Sequence, residues 1–315
     1  MMLINLFRRV SIISITLIAI GCGSKGKQID ETTTRGNISV AVDASYQKLV
    51  DAEWYVFSSL YKYALVNPIY TSEGRALELL KSDSVRFVLM SRKLREDEKV
   101  FFKDKNRIPK ETLIAYDGVA FICNQKNTDT TLTYTEIKNL FSGRTKTWKE
   151  LGAPSNDSVL LVFESHKSGN ARFIKDHFKL NALPANCFAV DDNEQVIKYV
   201  EEHPSAIGIL SSGLISDMDD SLSQQFLDRV HVMGVSAKDD PEGVNGFVQP
   251  YQEYIGDGSY PFKREIYIVN CEIGTRLGTG FASFIASDKG QRIILKSGLL
   301  PAVTPVRFIE VSNEF

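Results

Sequence analysis

The sequence lacks the residue patterns of several common active sites. It contains four cysteines and four histidines in 315 residues, and neither a CxxC nor an HExxH spacing occurs. These absences exclude the usual zinc motifs and a disulfide framework. No basic cluster is interleaved with aromatic residues, so nucleic acid is not an expected partner. We expect no metal and no cofactor, and we expect Cys123, Cys187 and Cys271 to be free thiols.

A long apolar run is also missing, and the apolar segment near the N-terminus is short. Arg8 and Arg9 precede the run 10–20, whose eleven residues are too few for an ordinary membrane-spanning helix. The run ends in Ala-Ile-Gly before Cys22, a pattern that resembles a bacterial lipoprotein signal. We therefore expect residues 1–21 to be a signal peptide and Cys22 to carry the lipid.

The segment 22–36 is hydrophilic and rich in Lys, Thr and Gly, so it is expected to form a flexible tether. Two other interpretations of the N-terminus stay open: an uncleaved anchor helix, and a plain secretory signal with a chance cysteine. In the lipoprotein interpretation the folded part lies in the periplasmic space of a bacterial cell envelope, attached to a membrane. Removal of Arg8 and Arg9 with the signal would change the formal charge from −2 to −4.

Strand and helix patterns alternate along the rest of the chain. Strands are predicted at 37–42, 68–70, 85–90, 113–123, 206–210 and 230–235, and helices at 45–66, 73–80, 133–141, 193–202 and 276–296. This alternation predicts an α/β fold with mixed, mostly parallel sheets flanked by helices. About 280 residues exceed what one core comfortably holds, so we expect two lobes.

The stretch 160–173 predicts a buried strand, a polar turn and the start of an amphipathic helix. Ser168, Gly169 and Asn170 supply a capping hydroxyl and small residues at the turn. Free backbone N–H groups at a helix start, together with the helix dipole, favour a phosphate-like oxyanion. An ordinary capped helix would have the same pattern, so other segments must distinguish the two.

Five sets of short segments form a recognisable series along the chain. They are 42–46 (VDASY); 91–94 (SRKL) with Glu98; 132–136 (LTYTE) with 141–143 and Trp148; 206–208 (AIG); and 258–261 (GSYP) with Arg264, 290–291, 298–301 and Arg307. In order and spacing they resemble the two-lobed periplasmic phosphate-binding proteins, which are substrate-binding lipoproteins of phosphate ABC transporters. The chain is identified as a divergent member of this family. The resemblance implies a type II binding-protein fold, with lobe 1 at 37–115 plus 245–315 and lobe 2 at 116–244.

The resemblance also implies a ligand site between the lobes. The positions that match the family's site are Ser45, Tyr46, Ser72, Ser91, Ser168, Gly169 and Asn170. For Ser45 and Ser72, a simple helix cap is an open alternative. Trp148 and Phe141 are expected to be core anchors, and the 258–261 turn is expected to serve the architecture and not the site.

Two positions depart from the family pattern. Glu164 stands where the family has an arginine, and Arg92 stands where the family has an acidic residue. The hypothesis is a charge swap in which Arg92 binds the anion through its forked N–H groups and Glu164 accepts a hydrogen carried by the ligand. Arg172 is an alternative cation, and Asp43 is an alternative acceptor. That Glu164 is only a solvated loop residue stays an open alternative.

The resemblance implies binding and not catalysis. The protein, expected to be a monomer, would capture inorganic phosphate by closure about crossovers near 115–118 and 236–245, and deliver it to an ABC permease. One alternative is a phosphatase with Ser45 or Ser168 as nucleophile and His166 as base, although no GxSxG elbow occurs. Another is a lipoprotein that binds a different oxyanion or serves sensing or adhesion.

Overall fold

The computed structural model of the protein describes residues 31–217 and 219–305. The predicted signal peptide, Cys22, most of the tether and Arg307 lie outside these residues. Within the described ranges, no helix has the length and apolar character needed to cross a bilayer.

The strands are distributed along the whole described chain. They are β1 Arg35–Asp43, β2 Tyr63–Thr71, β3 Phe87–Met90, β4 Lys110–Asn124, β5 Thr131–Leu132, β6 Leu160–Phe163, β7 Cys187–Ala189, β8 Ala206–Ser211, β9 Val230–Val232, β10 Gly234–Val235, β11 Lys263–Asn270 and β12 Leu300–Pro301.

The helices alternate with these strands for most of the chain. They are α1 Gln47–Leu60, α2 Glu73–Lys81, α3 Glu96–Asp104, α4 Tyr134–Phe141, α5 Gly169–Phe178, α6 Asn193–Glu202, α7 Ser221–Leu227, α8 Gln252–Gly256, α9 Leu277–Ile285 and α10 Asp288–Lys296, with 3-10 turns at Ala44–Tyr46, Trp148–Leu151 and Ser212–Leu214.

A mixed sheet connects the two lobes. Its strand order is β2-β1-β3-β11-β4-β8-β6-β7, and β12 and β9 also pair with β4. β1 runs parallel to β2 and β3, whereas β11 runs antiparallel to β3 and β4. In the second lobe, β8 is antiparallel to β4 and parallel to β6. The predicted α/β class with mixed sheets and flanking helices is confirmed.

In the first lobe, alternate residues of β1 face two different cores. Val40 and Val42 pack with Phe57 of α1, while Ala41 packs with Leu80 of α2. β1 is therefore buried on both faces, as central parallel strands usually are. Because β1, β2 and β3 are parallel, their carboxyl ends lie together at one edge, which is where α/β sheets bind ligands.

In the second lobe, aromatic side chains fill the core. Phe141 and Trp148, predicted as core anchors, are 1% and 2% exposed. They pack with Phe121 of β4, Phe163 of β6 and Ile174 of α5. This core fixes the end of β6 and the first turns of α5, the two elements that bracket the predicted polar turn.

β4 carries the chain from one lobe to the other. Its first part pairs with β11 up to the Gly118–Lys263 pair, and its second part pairs with β8 from Val119. The predicted crossover at 115–118 lies in this strand. Residues 245–315 were predicted to belong to lobe 1, but Tyr260 and Phe262 pack in the core of the second lobe. The lobe limits themselves stay a prediction.

The helix predicted over 45–66 is shorter than expected. α1 ends at Leu60, and β2 starts at Tyr63. Ala64 and Val66 face the core as alternate residues of this strand. The misassignment has a physical origin, since apolar residues that alternate in a short strand can also continue a helical spacing.

The single helix predicted over 276–296 is two helices, α9 and α10. The break exposes the carbonyl of Ile285 to the side chain of Gln291, whose Nε2 donates to it at 3.1 Å and to Ile114 O at 3.0 Å. α10 approaches the end of α9 so closely that a Cβ at Gly290 would lie 2.3 Å from Ile285 O. Periodicity continues across the break, so the pattern alone does not reveal it.

The cysteines of the described chain are free, as predicted. Cys123 and Cys271 are buried, and Cys187 is half-buried. Burial raises the pKa of the Cys123 and Cys187 thiols to about 12, so both stay protonated and unreactive near neutral pH.

Candidate functional site

Polar residues follow the ends of β1, β2 and β3 in the first lobe and of β6 in the second. Asp43 ends β1, Glu73 starts α2 just after β2, and Ser91 follows β3. Glu164 follows β6. Asp43, Glu73, Ser91 and Glu164 are all at most 5% exposed. Buried polar side chains of this kind need partners, so the edge where the lobes meet is the candidate site.

The start of α5 has the predicted strand–turn–helix geometry. Ser168 is the N-cap, and its Oγ accepts from Ala171 N at 3.1 Å. The same hydroxyl donates to Glu164 Oε1 at 2.6 Å, and Asn170 Nδ2 donates to that oxygen at 3.1 Å. Glu164 is therefore a buried member of the turn and not a solvated loop residue. Its second oxygen, Oε2, has no hydrogen-bond partner.

Gly169 is the point of closest approach between α5 and the first lobe. A Cβ at this position would lie 2.6 Å from Asp43 Oδ2 and 3.1 Å from Ser91 Oγ. A side chain at 169 would thus push the first-lobe loops away. The lobes are closed on each other at the candidate site, and glycine permits this closure.

Glu73 and Arg172 form an ion pair across the interlobe contact. Arg172 Nε lies 2.5 Å from Glu73 Oε1, and its Nη2 lies 2.9 Å from Ser91 Oγ. Ser91 also donates to Glu73 through its backbone N–H and its hydroxyl. Burial alone would raise the pKa of Glu73, but the charge and hydrogen bonds of Arg172 lower it overall. Glu73 was not among the predicted site residues, because its only signal in the sequence is its place at a helix start.

Arg92 is placed differently from the charge-swap hypothesis. Its two terminal nitrogens form a fork with Glu98, at 2.7 and 2.9 Å, and its Nε lies 3.6 Å from Glu73 Oε1. Glu98 is fixed by capping α3, since it accepts from Arg95 N. In the described chain Arg92 thus lies behind Glu73 and pairs with Glu98, where the hypothesis paired it with Glu164.

Arg264 supplies the buried cation instead. It is 3% exposed, and it pairs with Asp117, which is fully buried. Arg264 and Asp117 are opposite each other in the β11–β4 register. Asp117 also accepts from the hydroxyls of Tyr46, Ser211 and Ser212, at 2.8–3.1 Å. Asp117 is the one charge in the apolar run 113–123, which was a signal for a buried partner. Arg264 stands between Lys263 and Glu265, so the sequence did not mark it as buried, and it was not among the predicted site residues.

Five buried polar atoms at this interlobe site have no hydrogen-bond partner. They are Asp43 Oδ2, Ser45 Oγ, Glu164 Oε2, Asn170 Oδ1 and Arg264 Nη2. Arg264 Nη2 lies 2.7 Å from Asp117 Oδ2, which is close enough for an ion pair but not aligned as a hydrogen bond. Unpaired buried polar groups cost about 1–3 kcal/mol each, so this group of atoms indicates a small polar ligand.

Several carboxylates lie close together at the site, and the pKa values of Asp43 and Glu164 are raised. Burial and the charges of Glu73 and Glu164 raise the pKa of Asp43 to about 7, against the opposing effect of Arg264. Burial also raises the pKa of Glu164, although the hydrogen bonds from Ser168 and Asn170 partly offset it. Both carboxyl groups therefore retain a hydrogen more readily than exposed acids.

The other residues proposed from the sequence differ in their place at the site. Ser45 lies beside Asp43, whose Oδ1 accepts from Ser45 N at 3.0 Å, and its hydroxyl is free to bind a ligand. Tyr46 donates its hydroxyl to Asp117, so it supports the Arg264 pair. Ser72 is the half-buried N-cap of α2 and makes no side-chain capping bond. His166, the base of the phosphatase alternative, is exposed.

The fold and the site define a two-lobed binding protein, and comparison with known proteins places the chain in a family. Residues 29–289 match the model of the PBP superfamily domain, and the chain belongs to that family. It is similar to the phosphate-binding protein PstS of Staphylococcus saprophyticus, with 25% identity over 89% of this chain and 84% of that protein.

Solved structures show the same fold. A putative phosphate ABC transporter substrate-binding protein from Clostridium perfringens, with bound phosphate, has 24% identity and a TM-score of 0.71; 85% of this chain and 100% of that chain are covered. An ABC-type phosphate transport receptor from Vibrio cholerae has 18% identity and a TM-score of 0.64, with 84% and 100% covered.

Proposed function

We propose that this protein captures inorganic phosphate between its two lobes and delivers it to an ABC permease. The observation that carries the proposal is the set of five unpaired buried polar atoms contributed by both lobes at one closed site. A tetrahedral oxyanion has enough oxygens to serve both lobes at once, and family members with similar sequences are named as phosphate-binding proteins.

The ligand-binding residues in this proposal come from both lobes. Ser45 Oγ and Arg264 Nη2 supply side-chain donors, and the first turn of α5, which follows the Ser168 cap, supplies the backbone N–H groups of Gly169 and Asn170. Asp43 and Glu164 accept the hydrogens that phosphate still carries near neutral pH. Ser72 and Ser91 complete the first-lobe wall. Arg92 has no direct contact with the ligand in this proposal; its charge stabilises the carboxylates of Glu73 and Glu98.

The cellular setting is proposed from the N-terminal pattern. Lipid on Cys22 would hold a monomeric protein on the outer side of a membrane. The tether would be shorter than the predicted 22–36, because β1 starts at Arg35 and pairs with β2 from that residue. Closure of the lobes around the anion would present the closed form to the permease, which releases the ligand.

Binding without catalysis fits the surroundings of the candidate nucleophiles. Ser168 donates its hydroxyl to Glu164, and His166 is exposed. The Ser168 hydroxyl is thus directed at Glu164 within the turn, and His166, the base of the phosphatase alternative, makes no hydrogen bond to it in the described chain. We expect no turnover of a chromogenic phosphate ester, and measurable hydrolysis by the pure protein, lost in Ser168→Ala, would support the phosphatase instead.

Phosphate is expected to bind the full-length protein in detergent, and sulfate is expected not to bind. Sulfate carries no hydrogen, so it would leave Glu164 Oε2 facing another acceptor, at a cost of about 1–3 kcal/mol or more. In Glu164→Gln the side chain can donate, so the phosphate-to-sulfate affinity ratio should fall by roughly tenfold. Isothermal titration calorimetry with both anions measures this ratio.

The matched control for this experiment is Glu202→Gln, because Glu202 is exposed at the end of α6. It should leave the affinity ratio unchanged. Equal binding of both anions by the unmutated protein would contradict the role of Glu164. Arsenate and molybdate in the same titrations test the alternative that the site takes a different oxyanion.

Gly169→Ala is expected to weaken phosphate binding by roughly tenfold or more. The added Cβ would meet Asp43 Oδ2 at 2.6 Å, so closure would have to stop short. Titration calorimetry measures the affinity, and circular dichroism verifies that the variant folds. Gly256→Ala is the control, because its Cβ would lie 3.8 Å from the nearest atom. A Gly169→Ala protein with unaltered affinity would show that α5 does not close on the ligand.

A further inference from the structure

The unpaired atoms of the site include more hydrogen-bond acceptors than donors. Asp43 Oδ2, Glu164 Oε2 and Asn170 Oδ1 are acceptors, while Ser45 Oγ and Arg264 Nη2 can donate. A fully deprotonated oxyanion has acceptors only. It would satisfy the two donors and leave the two carboxylates facing its own oxygens.

We propose that this site binds phosphate as the dihydrogen monoanion, with one P–OH donating to Asp43 and the other to Glu164, so that binding above neutral pH takes up a proton. The inference rests on the proposed phosphate-binding function. It extends that function by naming the protonation state of the ligand and the two groups that select it.

The two carboxylates are held in the orientation that this inference needs. Asp43 Oδ1 is engaged by Ser45 N, which leaves Oδ2 directed at Gly169 in the opposite lobe. Glu164 Oε1 is engaged by Ser168 and Asn170, which leaves Oε2. One acceptor thus comes from each lobe, so a ligand with two hydroxyls can bridge them.

The neighbouring charges do not compensate the two carboxylates. Asp43 is faced by Glu73 of α2, Glu164 of the β6–α5 loop and Arg264 of β11. Arg264 is the cation shared by Asp43 and Glu164, and it is already paired with Asp117.

The other two arginines at the site and the Tyr46 hydroxyl already have carboxylate partners. Arg172 is committed to Glu73, Arg92 to Glu98, and the Tyr46 hydroxyl to Asp117. A doubly charged anion would therefore enter next to two carboxylates without a free guanidinium, and added hydrogens remove this repulsion.

Without phosphate, the carboxyl groups of Asp43 and Glu164 bind protons more tightly than exposed acids do. The pKa of Asp43 is about 7, and burial raises the pKa of Glu164 as well. Above this pH the carboxyl groups and phosphate in solution together carry fewer hydrogens than the proposed complex. The missing proton then comes from solvent, and linkage makes the affinity fall as the pH rises.

The test is titration of the full-length protein in detergent with inorganic phosphate, in two buffers of different ionisation enthalpy, from pH 5.5 to 9. At pH 8.5 we expect uptake of about one proton per phosphate and a roughly tenfold loss of affinity per pH unit. Asp43→Asn should abolish the uptake and flatten the pH profile, because the amide N–H can donate to a deprotonated phosphate oxygen, so that phosphate binds with one hydrogen only. Glu202→Gln should behave as the unmutated protein.

Each outcome of the titration has a separate meaning. Phosphate binding with no proton uptake and a flat alkaline profile would overturn this inference while the proposed function stands. No phosphate binding at any pH would overturn the proposed function, and the inference with it. Because the wild-type titration alone measures the uptake, the result does not depend on whether Asp43→Asn folds.

Discussion

Arg264→Leu is expected to lower the free energy of unfolding by about 3–5 kcal/mol. The substitution leaves the fully buried carboxylate of Asp117 without its cation. The hydroxyls of Tyr46, Ser211 and Ser212 still donate to it, but they do not neutralise its charge. Urea denaturation followed by circular dichroism measures the loss, and phosphate affinity should fall as well.

Two further variants make the Arg264 result specific. Asp117→Asn in the Arg264→Leu background removes the uncompensated charge, so it should restore part of the lost stability. Glu96→Gln breaks the exposed Lys99–Glu96 pair, where Glu96 is 87% exposed, and should change stability far less than Arg264→Leu does. An Arg264→Leu protein as stable as the wild type would show that the pair is not a structural support.

Glu53→Met is expected to stabilise the protein at pH 8 by roughly 2–4 kcal/mol. Glu53 is fully buried on the face of α1 that carries Leu49, Val50 and Phe57, and neither of its carboxyl oxygens has a partner. Burial raises its pKa from 4.5 to about 9. Methionine has a similar length, favours helices, and brings no polar atom into the core.

The sign of the pH dependence follows from this raised pKa. Between about pH 4.5 and 9 the folded protein keeps a proton on Glu53 that the unfolded chain has lost. The contribution of Glu53 to stability therefore falls as the pH rises through this window. Urea denaturation at pH 5, 7 and 9 should show a slope that Glu53→Met reduces. The matched control, Glu202→Met at an exposed position, should leave the slope intact.

Local sequence patterns predicted the elements that local interactions stabilise. The turn at Ser168 was found because its capping hydroxyl, the following small residues and the apolar strand before it are adjacent in the chain. The helix at 193–202 was predicted with the bounds that the structure has. Predictions were wrong at 45–66 and 276–296, where apolar spacing persists and tertiary packing ends the helix.

Patterns within short stretches of the chain were enough for the fold class, the family resemblance and the polar turn at the start of α5. The partner of each arginine at the candidate site could be read only from the folded chain. Arg264 meets Asp117 across 147 residues of chain, and Arg172 meets Glu73 across 99. Each guanidinium pairs with the carboxylate that folding brings beside it, whatever their separation in sequence. Arg92 was the residue expected to bind the anion, but it is paired with Glu98. The charged groups with unpaired atoms at the candidate site are Asp43, Glu164 and Arg264.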